Sequence, residues 1–218
     1  MNKKPLDILQ LQREAAKFAI LESIHPEPSL FGVTDGKAVG TYLEHKFQAF
    51  LSQAYDCTSG NSARGIDFPD LNVDMKVTSI RQPQSSCPFR SARQKIFGLG
   101  YALLIFVYEK TDDPVAKTSR LEILHAIFVE ASRTADFQCT RGILQILANN
   151  GNRDDLMAFM FDRNLPLDEI EAANLANEIL TTPPELGYLT ISNALQWRLQ
   201  YGRVIEEAGK VAGILKVI

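Results

Sequence analysis

The order of hydrophobic and polar positions predicts helices at the start of the chain, strands in its middle and helices again at its end. Apolar residues recur at helical spacing over residues 5–24 and over about residues 35–55. His25-Pro26 stops the first helix, and Asp35-Gly36 is a start signal for the second. Both predicted helices are amphipathic, so each is expected to cover one face of a core.

The middle of the chain has patterns that are typical of β-strands. Residues 66–77 alternate with a period of two around Pro69-Asp70, which predicts two short strands joined by a bend. After a loop over residues 81–88 and a short helix over residues 89–98, residues 103–108 form a continuous apolar run. Such a run is typical of a strand buried on both faces. Residues 121–130 are rich in β-branched side chains, and we predict that they lie beside this strand in one sheet.

Beyond Ala131 the pattern is helical, with predicted helices over residues 143–147, 154–161, 167–180 and 191–201. In the last of these, Trp197 is flanked by Gln196, Arg198, Gln200, Tyr201 and Arg203. That helix either packs into the core with a polar outer face or reads a DNA groove. The predicted fold class is α/β (α+β), with a sheet core at residues 1–130 and a helical region at residues 131–218, packed as one domain.

Length and composition support a globular chain and exclude several classes. The chain has 218 residues, of which 45% are hydrophobic and 22% charged, so it can bury a substantial core. Its longest apolar stretch, residues 101–108, is far shorter than the roughly 20 residues that span a bilayer. The N-terminal residues lack the apolar core of a signal peptide, so we expect a cytoplasmic location and no membrane partner. Cys57, Cys87 and Cys139 fit neither a disulfide framework nor zinc spacing and are predicted to be small buried thiols.

A net charge of −3 argues at first against a polyanionic partner, but the charges are unevenly distributed. No acidic residue occurs between Met75 and Tyr108, whereas Lys76 and four further basic residues do. Together with neighbouring glutamines, these residues predict a DNA-facing surface. Its members are Arg81, Gln82, Arg90, Arg93, Gln94 and Lys95. For any single one of them, ordinary solvated surface charge is an equal alternative.

One segment carries candidate chemistry. Asp67 and Asp74 can converge from neighbouring strands, and Lys76 lies two positions after Asp74 and therefore on the same face of one strand. Carboxylates without nearby histidine or cysteine suit Mg²⁺, which retains waters and accepts phosphate oxygens. Glu44 lies at the border of the apolar face of the preceding helix, from which its carboxylate can face inward. This arrangement indicates phosphodiester hydrolysis by a metal-activated water.

In these residues the chain resembles the PD-(D/E)XK nuclease superfamily, to which many type II restriction endonucleases belong. The resemblance implies a restriction-endonuclease-like core, a Mg²⁺ cofactor that Mn²⁺ can replace, and double-stranded DNA as the substrate. It assigns Asp67, Asp74 and Glu44 to metal binding and Lys76 to catalysis. The literal Pro69-Asp70 leaves only three residues before Asp74, too few for a separate strand and turn, so Asp67 is the preferred first ligand.

The resemblance implies a sequence-specific type II restriction endonuclease, and a homodimer that cuts both strands is an open option. One alternative is a nicking or repair nuclease of the same superfamily. Another is a non-catalytic DNA-binding protein in which Asp67, Asp74 and Lys76 form a surface salt-bridge cluster of little energetic weight.

Overall fold

The computed structural model describes residues 3–56, 65–86, 89, 91–192 and 198–218. The chain forms two compact units, each assembled from separate segments. The first unit comprises residues 1–85, 103–129 and 207–218, and the second comprises residues 86–102 and 130–206. Residues 86–102 of the second unit therefore lie before the predicted boundary at residue 130, and residues 207–218 of the first unit lie after it. The functional division into a nuclease core and a specificity region stays a prediction.

The described residues contain helices towards both ends and the longest strands in the middle, as the periodicity predicts. The helices are α1 Ile8–Ser23, α2 Gly36–Ser52, α3 Ala92–Phe97, α4 Phe137–Ala148, α5 Arg153–Asp162, α6 Glu169–Thr181 and α7 Gly202–Glu207. The strands are β1 Lys4–Pro5, β2 Pro26–Glu27, β3 Tyr55–Asp56, β4 Val73–Ser79, β5 Gln84–Ser86, β6 Ala102–Asp113, β7 Thr118–Val129, β8 Thr190–Ile191, β9 Arg198–Gln200 and β10 Ile214–Lys216. The α/β fold class is confirmed.

The main sheet of the first unit has the strand order β10-β7-β6-β4, and β2 pairs antiparallel with β7. Strands β6 and β7 form a long antiparallel hairpin, from Leu103 opposite Val129 to Asp113 opposite Thr118. The predicted pairing of the two apolar runs is therefore confirmed. Strand β10 pairs antiparallel with β7, so the end of the chain adds a strand where no element was predicted.

An aromatic cluster forms the core beneath the sheet. The ring of Phe47 on α2 lies 5.1 Å from that of Phe18 on α1 and 5.2 Å from that of Phe106 on β6. Phe68, in the segment before β4, packs edge-on against Phe47 at 6.2 Å. Because one buried ring touches both helices, the sheet and this segment, the cluster fixes where residues 67–76 lie relative to α2.

The prediction of two strands around Pro69-Asp70 is only half right. The second strand is β4, but the first is reduced to a single antiparallel bridge between Phe68 and Val73. Residues 69–71 form a 3₁₀ turn, and Asn72 has a left-handed backbone (φ 54°) that reverses the chain. A turn this tight leaves no length for a second strand, and Pro69 has no N–H to give to a ladder.

The second unit is mainly helical, with a core that includes Ile143, Leu156, Met160 and Ala176. Free Cys139 is buried there as predicted, whereas Cys57 and Cys87 lie outside the described residues. The predicted helix over residues 191–201 is wrong in its described parts, because β8 and β9 pair antiparallel instead. Trp197 and Gln196 lie outside the described residues. In the described part of the chain, no helix combines the length and apolar character needed to cross a membrane.

Gly187 allows a close backbone approach in this unit. A Cβ at this position would lie 2.2 Å from the carbonyl oxygen of Ala135. We expect Gly187→Ala to lower the free energy of unfolding by about 1–3 kcal/mol, as overpacking does. Gly202→Ala is the control, because no atom lies within 4 Å of its Cβ position. Urea denaturation measures both, and equal stability of the two variants would contradict the close approach.

Candidate active site

Strand β4, the last strand in the order of the main sheet, carries two of the predicted site residues. Asp74 and Lys76 lie two positions apart, and the Lys76 Nζ is 2.7 Å from Oδ2 of Asp74. The Asp74 residue is 3% exposed, and the Lys76 side chain is 22% exposed. The alternation of the strand therefore places a buried carboxylate beside an ammonium group that reaches solvent.

Asp67 reaches the same place from the segment that precedes the 3₁₀ turn. Its Oδ2 accepts a hydrogen bond of 2.9 Å from the backbone N–H of Met75, the residue between Asp74 and Lys76. The neighbouring Phe68 is 4% exposed and is held by Phe47. Asp67 is thus positioned by a hydrogen bond to β4 and by the burial of the next side chain, although it is not on a strand of its own.

The surroundings of Asp74 raise the pKa of its carboxyl to about 7. Burial is the main cause, the charge of Lys76 opposes it, and the neighbouring Asp67 carboxyl raises the pKa further. Among the described residues, Oδ2 of Asp74 accepts no well-directed hydrogen bond, so its contact with Lys76 is that of an ion pair. A buried carboxylate oxygen in this state is costly unless a further positive group approaches it.

Glu44 belongs to the same electrostatic neighbourhood. It lies half-buried on α2, one turn before Phe47. Burial raises the pKa of its carboxyl, the charge of Asp67 raises it further, and the charges of Lys76 and His45 lower it. Asp67, Asp74 and Lys76 are therefore brought together at one place, and Glu44 lies within electrostatic range of Asp67 and Lys76.

The donor set fits a hard divalent cation that is completed by water and substrate. Asp67 and Asp74 supply carboxylate oxygens, one of which is buried without a hydrogen bond from any described residue. Among the residues that the structure describes, no three His, Cys, Asp or Glu side chains form a complete metal cage. Mg²⁺ commonly binds through one or two carboxylates and keeps several waters, so an incomplete protein cage suits it.

Sequence reasoning missed a second ionic network, which anchors α2. Lys46 Nζ lies 2.8 Å from Oε2 of the buried Glu22, and the Tyr42 hydroxyl donates to Oε2 of Glu27 at 2.8 Å. Burial alone would raise the pKa of Glu27, but hydrogen bonds from Ser29 and Tyr42 lower it to about 2. Tyr42 and Lys46 lie four residues apart, on either side of Glu44, and are therefore neighbours on the surface of α2. This spacing was the sequence signal that could have indicated the network.

The basic stretch is not uniformly exposed. Arg81 and Gln82 are exposed just after β4, and Arg81 lies 3.9 Å from Glu109. Arg93 is exposed but makes a forked ion pair with Glu178, with a closest approach of 2.6 Å. Gln94 is half-buried in α3, and Arg90 lies outside the described residues. Lys95 is 2% exposed, so its ammonium is not accessible for the predicted phosphate contact.

Comparisons with known proteins identify the class of protein and its family. The family model of the type II restriction enzyme NspV matches residues 5–216. The type II restriction enzyme NspV of Nostoc sp. (strain ATCC 29411 / PCC 7524) is 70% identical over 212 residues, which are 97% of this chain and 96% of that protein. The chain is therefore a type II restriction enzyme. It belongs to the NspV family. No solved structure matches the chain.

These findings confirm the predicted function as a sequence-specific type II restriction endonuclease, a hydrolase that cuts DNA at defined sites. They give the class of reaction but no site residue. The roles of Asp67, Asp74, Lys76 and Glu44 therefore stay predictions.

The unusual electrostatics of Asp74 lead to a prediction about stability. Asp74 and Asp136 are both 3% exposed, but Asp136 accepts hydrogen bonds of 2.8 Å from the N–H groups of Cys139 and Ile191. We expect Asp74→Asn to raise the free energy of unfolding at pH 8 in EDTA by roughly 1 kcal/mol, because ionised Asp74 opposes folding above its pKa. Asp136→Asn should lower it by about 1–3 kcal/mol. Thermal denaturation distinguishes the two variants. Losses of stability of equal size in both would contradict the prediction that ionised Asp74 opposes folding.

Proposed function

We propose that Asp67, Asp74, Lys76 and Glu44 form the active site at which this restriction endonuclease hydrolyses phosphodiester bonds of double-stranded DNA. The observation that carries the proposal is the buried Asp74 carboxylate, held beside Asp67 and in ion contact with Lys76. A fold does not need two charges on β4 and a third, Asp67, held beside them. Their convergence is what an enzyme needs to bind a cation and a phosphate together.

Asp67 and Asp74 are the proposed ligands of a divalent cation, Mg²⁺ or its substitute Mn²⁺. Such an ion lowers the pKa of a bound water and stabilises negative charge on the phosphate. The hydrogen bond from the Met75 N–H fixes one oxygen of Asp67 and leaves Oδ1 as its ligand atom. The burial of Asp74 excludes water from one side of the site, which strengthens its electrostatic interactions.

Lys76 is the proposed catalytic residue. Its ammonium lies beside Asp74 and is partly exposed, so it can donate to an attacking water or to a phosphate oxygen. Asp74 holds the ammonium in place before the substrate arrives, which reduces the reorganisation needed in the transition state. Glu44 is proposed to complete the site, either as a ligand or as a carboxylate that orients a water.

These roles are those of the PD-(D/E)XK nucleases, and we infer that the first unit is a restriction-endonuclease-like core. We infer further that the enzyme acts in the cytoplasm and that two copies cooperate to cut both strands. Linear product from a supercoiled plasmid supports double-strand cutting, whereas persistent open circles indicate nicking.

We expect Lys76→Ala and Asp74→Ala to reduce Mg²⁺-dependent cleavage by at least about 10³-fold while DNA binding persists, because they remove charge aimed at the transition state. Single-turnover cleavage of a plasmid measures the rate, and gel shift measures binding.

Lys110→Ala is the matched control for this experiment. Lys110 and Asp112 form another ion pair of strand residues two positions apart, on β6. The Lys110→Ala variant should cleave DNA at the wild-type rate. A folded Lys76→Ala variant that cuts at the wild-type rate would show that the assignment is wrong.

Direct metal binding gives a separate prediction that does not depend on cleavage. Calorimetric titration of the DNA-free enzyme with Mg²⁺ or Mn²⁺ should give saturable binding, because two carboxylates converge. Asp67→Asn and Asp74→Asn should each abolish it, whereas Asp112→Asn should not. Equal binding by all three variants would place the cation elsewhere.

A further inference from the structure

Three side chains meet around the ring of Phe137 in the second unit. Phe137 is the first residue of α4, and its ring centroid lies 6.0 Å from that of Tyr188. The guanidinium carbon of Arg203 lies over the Phe137 ring at 3.6 Å, and that of Arg141 lies 5.9 Å from its centroid. Two arginines and two aromatic rings thus share one place, which we call the Phe137 cluster.

The backbone beneath the cluster is well fixed. Asp136 caps α4 by accepting from the Cys139 N–H and also accepts from the Ile191 N–H. The segment ending at Leu189 runs parallel to the segment before α4, and the Phe137 N–H donates to the Leu189 carbonyl at 2.8 Å. The two aromatic residues are therefore held by a ladder of main-chain hydrogen bonds, and their rings form a rigid support.

Arg203 is held by packing and has no acidic partner in the part of the chain that the structure describes. It makes no hydrogen bond or ion pair with the residues that the structure describes, and its Nε is buried without an acceptor among them. Arg93 and Arg153 of the same unit pair with Glu178 and Asp154, respectively. Because Arg203 as a whole is only half-buried, its guanidinium, fixed on the ring and without an acceptor among the described residues, can meet an acceptor from outside the chain.

We propose that Arg203, supported by Phe137, reads a guanine edge in the DNA recognition sequence. The inference rests on the proposed function, because it takes double-stranded DNA as the ligand. The planar fork of a guanidinium matches the O6 and N7 acceptors of guanine in the major groove. Stacking on Phe137 fixes the plane of the fork, so that a wrong base leaves donors unpaired.

Arg141 has a different role in the same cluster. It is exposed on α4, farther from the ring, and makes no ion pair with a described residue. Without a fixed plane it suits a phosphate oxygen, which requires charge but little orientation. The two arginines therefore divide into one that specifies a base and one that adds sequence-independent affinity.

The test measures binding of two duplexes. The wild-type enzyme first cuts a plasmid with Mg²⁺, and the sequenced ends define the recognition site. Fluorescent duplexes that carry this site or a scrambled one are then titrated by anisotropy with Ca²⁺, and a gel confirms that they stay intact. A third duplex replaces the guanines of the site with 7-deazaguanine, which lacks N7.

We expect Arg203→Lys to reduce the preference for the recognition site over the scrambled duplex by roughly 10- to 100-fold, with scrambled binding nearly unchanged. The wild type should lose a similar factor on the 7-deazaguanine duplex, and Arg203→Lys should lose little more. Arg141→Ala should weaken both duplexes equally and reduce the salt dependence. Phe137→Leu, which keeps the apolar packing, should lower the preference in the same direction as Arg203→Lys.

Arg153→Lys is the matched control, since Arg153 is an exposed arginine on α5 that pairs with Asp154. It should bind like the wild type, and circular dichroism verifies the fold of every variant. Unchanged preference in Arg203→Lys, equal weakening of both duplexes, or a recognition site without guanine would overturn the assignment. These outcomes are distinct from failure of the active site, which active Asp74→Ala or Lys76→Ala enzyme would reveal without altering the binding result.

Discussion

The burial of Asp74 beside a second carboxylate is the constraint around which the first unit is arranged. Two acids do not stay this close unless the surrounding structure holds them, and burial makes the ionised form more costly. The restraints are a hydrogen bond from the Met75 N–H to Asp67, the packing of Phe68 on Phe47, and the ion contact with Lys76. A network through Glu22 and Lys46 fixes α2, which carries Glu44. Stability gained in the aromatic core and in this network offsets the strain at the carboxylates, as expected where a site is organised before its ligands bind.

Periodicity predicted most of the fold because most elements bury one face or both. The apolar runs of β6 and β7 and the stripes of α1 and α2 leave few alternatives once a core must form. The prediction failed where a local pattern was ambiguous. Residues 66–68 alternate like a strand, but the turn at residues 69–72 is too tight to allow one. Residues 198–200 fit a helical stripe, yet they pair with residues 190–191, and sequence periodicity carries no information about such pairing.

The candidate site shows the same division between local and distant information. Spacing alone brought Asp74 and Lys76 to one face, because alternation is a property of the strand itself. Whether the basic residues after β4 are exposed and unpaired depends on residues far along the chain. Arg93 meets Glu178 from 85 positions away, and Lys95 is buried in the second unit. A count of charges in sequence therefore predicted more exposed cations than the fold provides, since neutralising partners and burial are tertiary properties.

Whether a charged residue serves structure or function follows from what it already contacts. An arginine that has an acidic partner has most of its binding capacity satisfied within the chain, and DNA must displace that partner before it can be bound. A buried or stacked charge with no partner is different, because folding has already met the cost of orienting it while the compensating contact is absent. The guanidinium of Arg203 meets this criterion among the described residues, because its buried Nε has no acceptor. Asp74 is an intermediate case, because its Oδ2 is in ion contact with Lys76 but accepts no hydrogen bond from any described residue. The acid is suited to a cation and the guanidinium to a base edge, the two ligands that a sequence-specific nuclease requires. The net charge of −3 gives no information about the Asp74 carboxylate or the Arg203 guanidinium. Each is a single, well-oriented group whose effect depends on its surroundings.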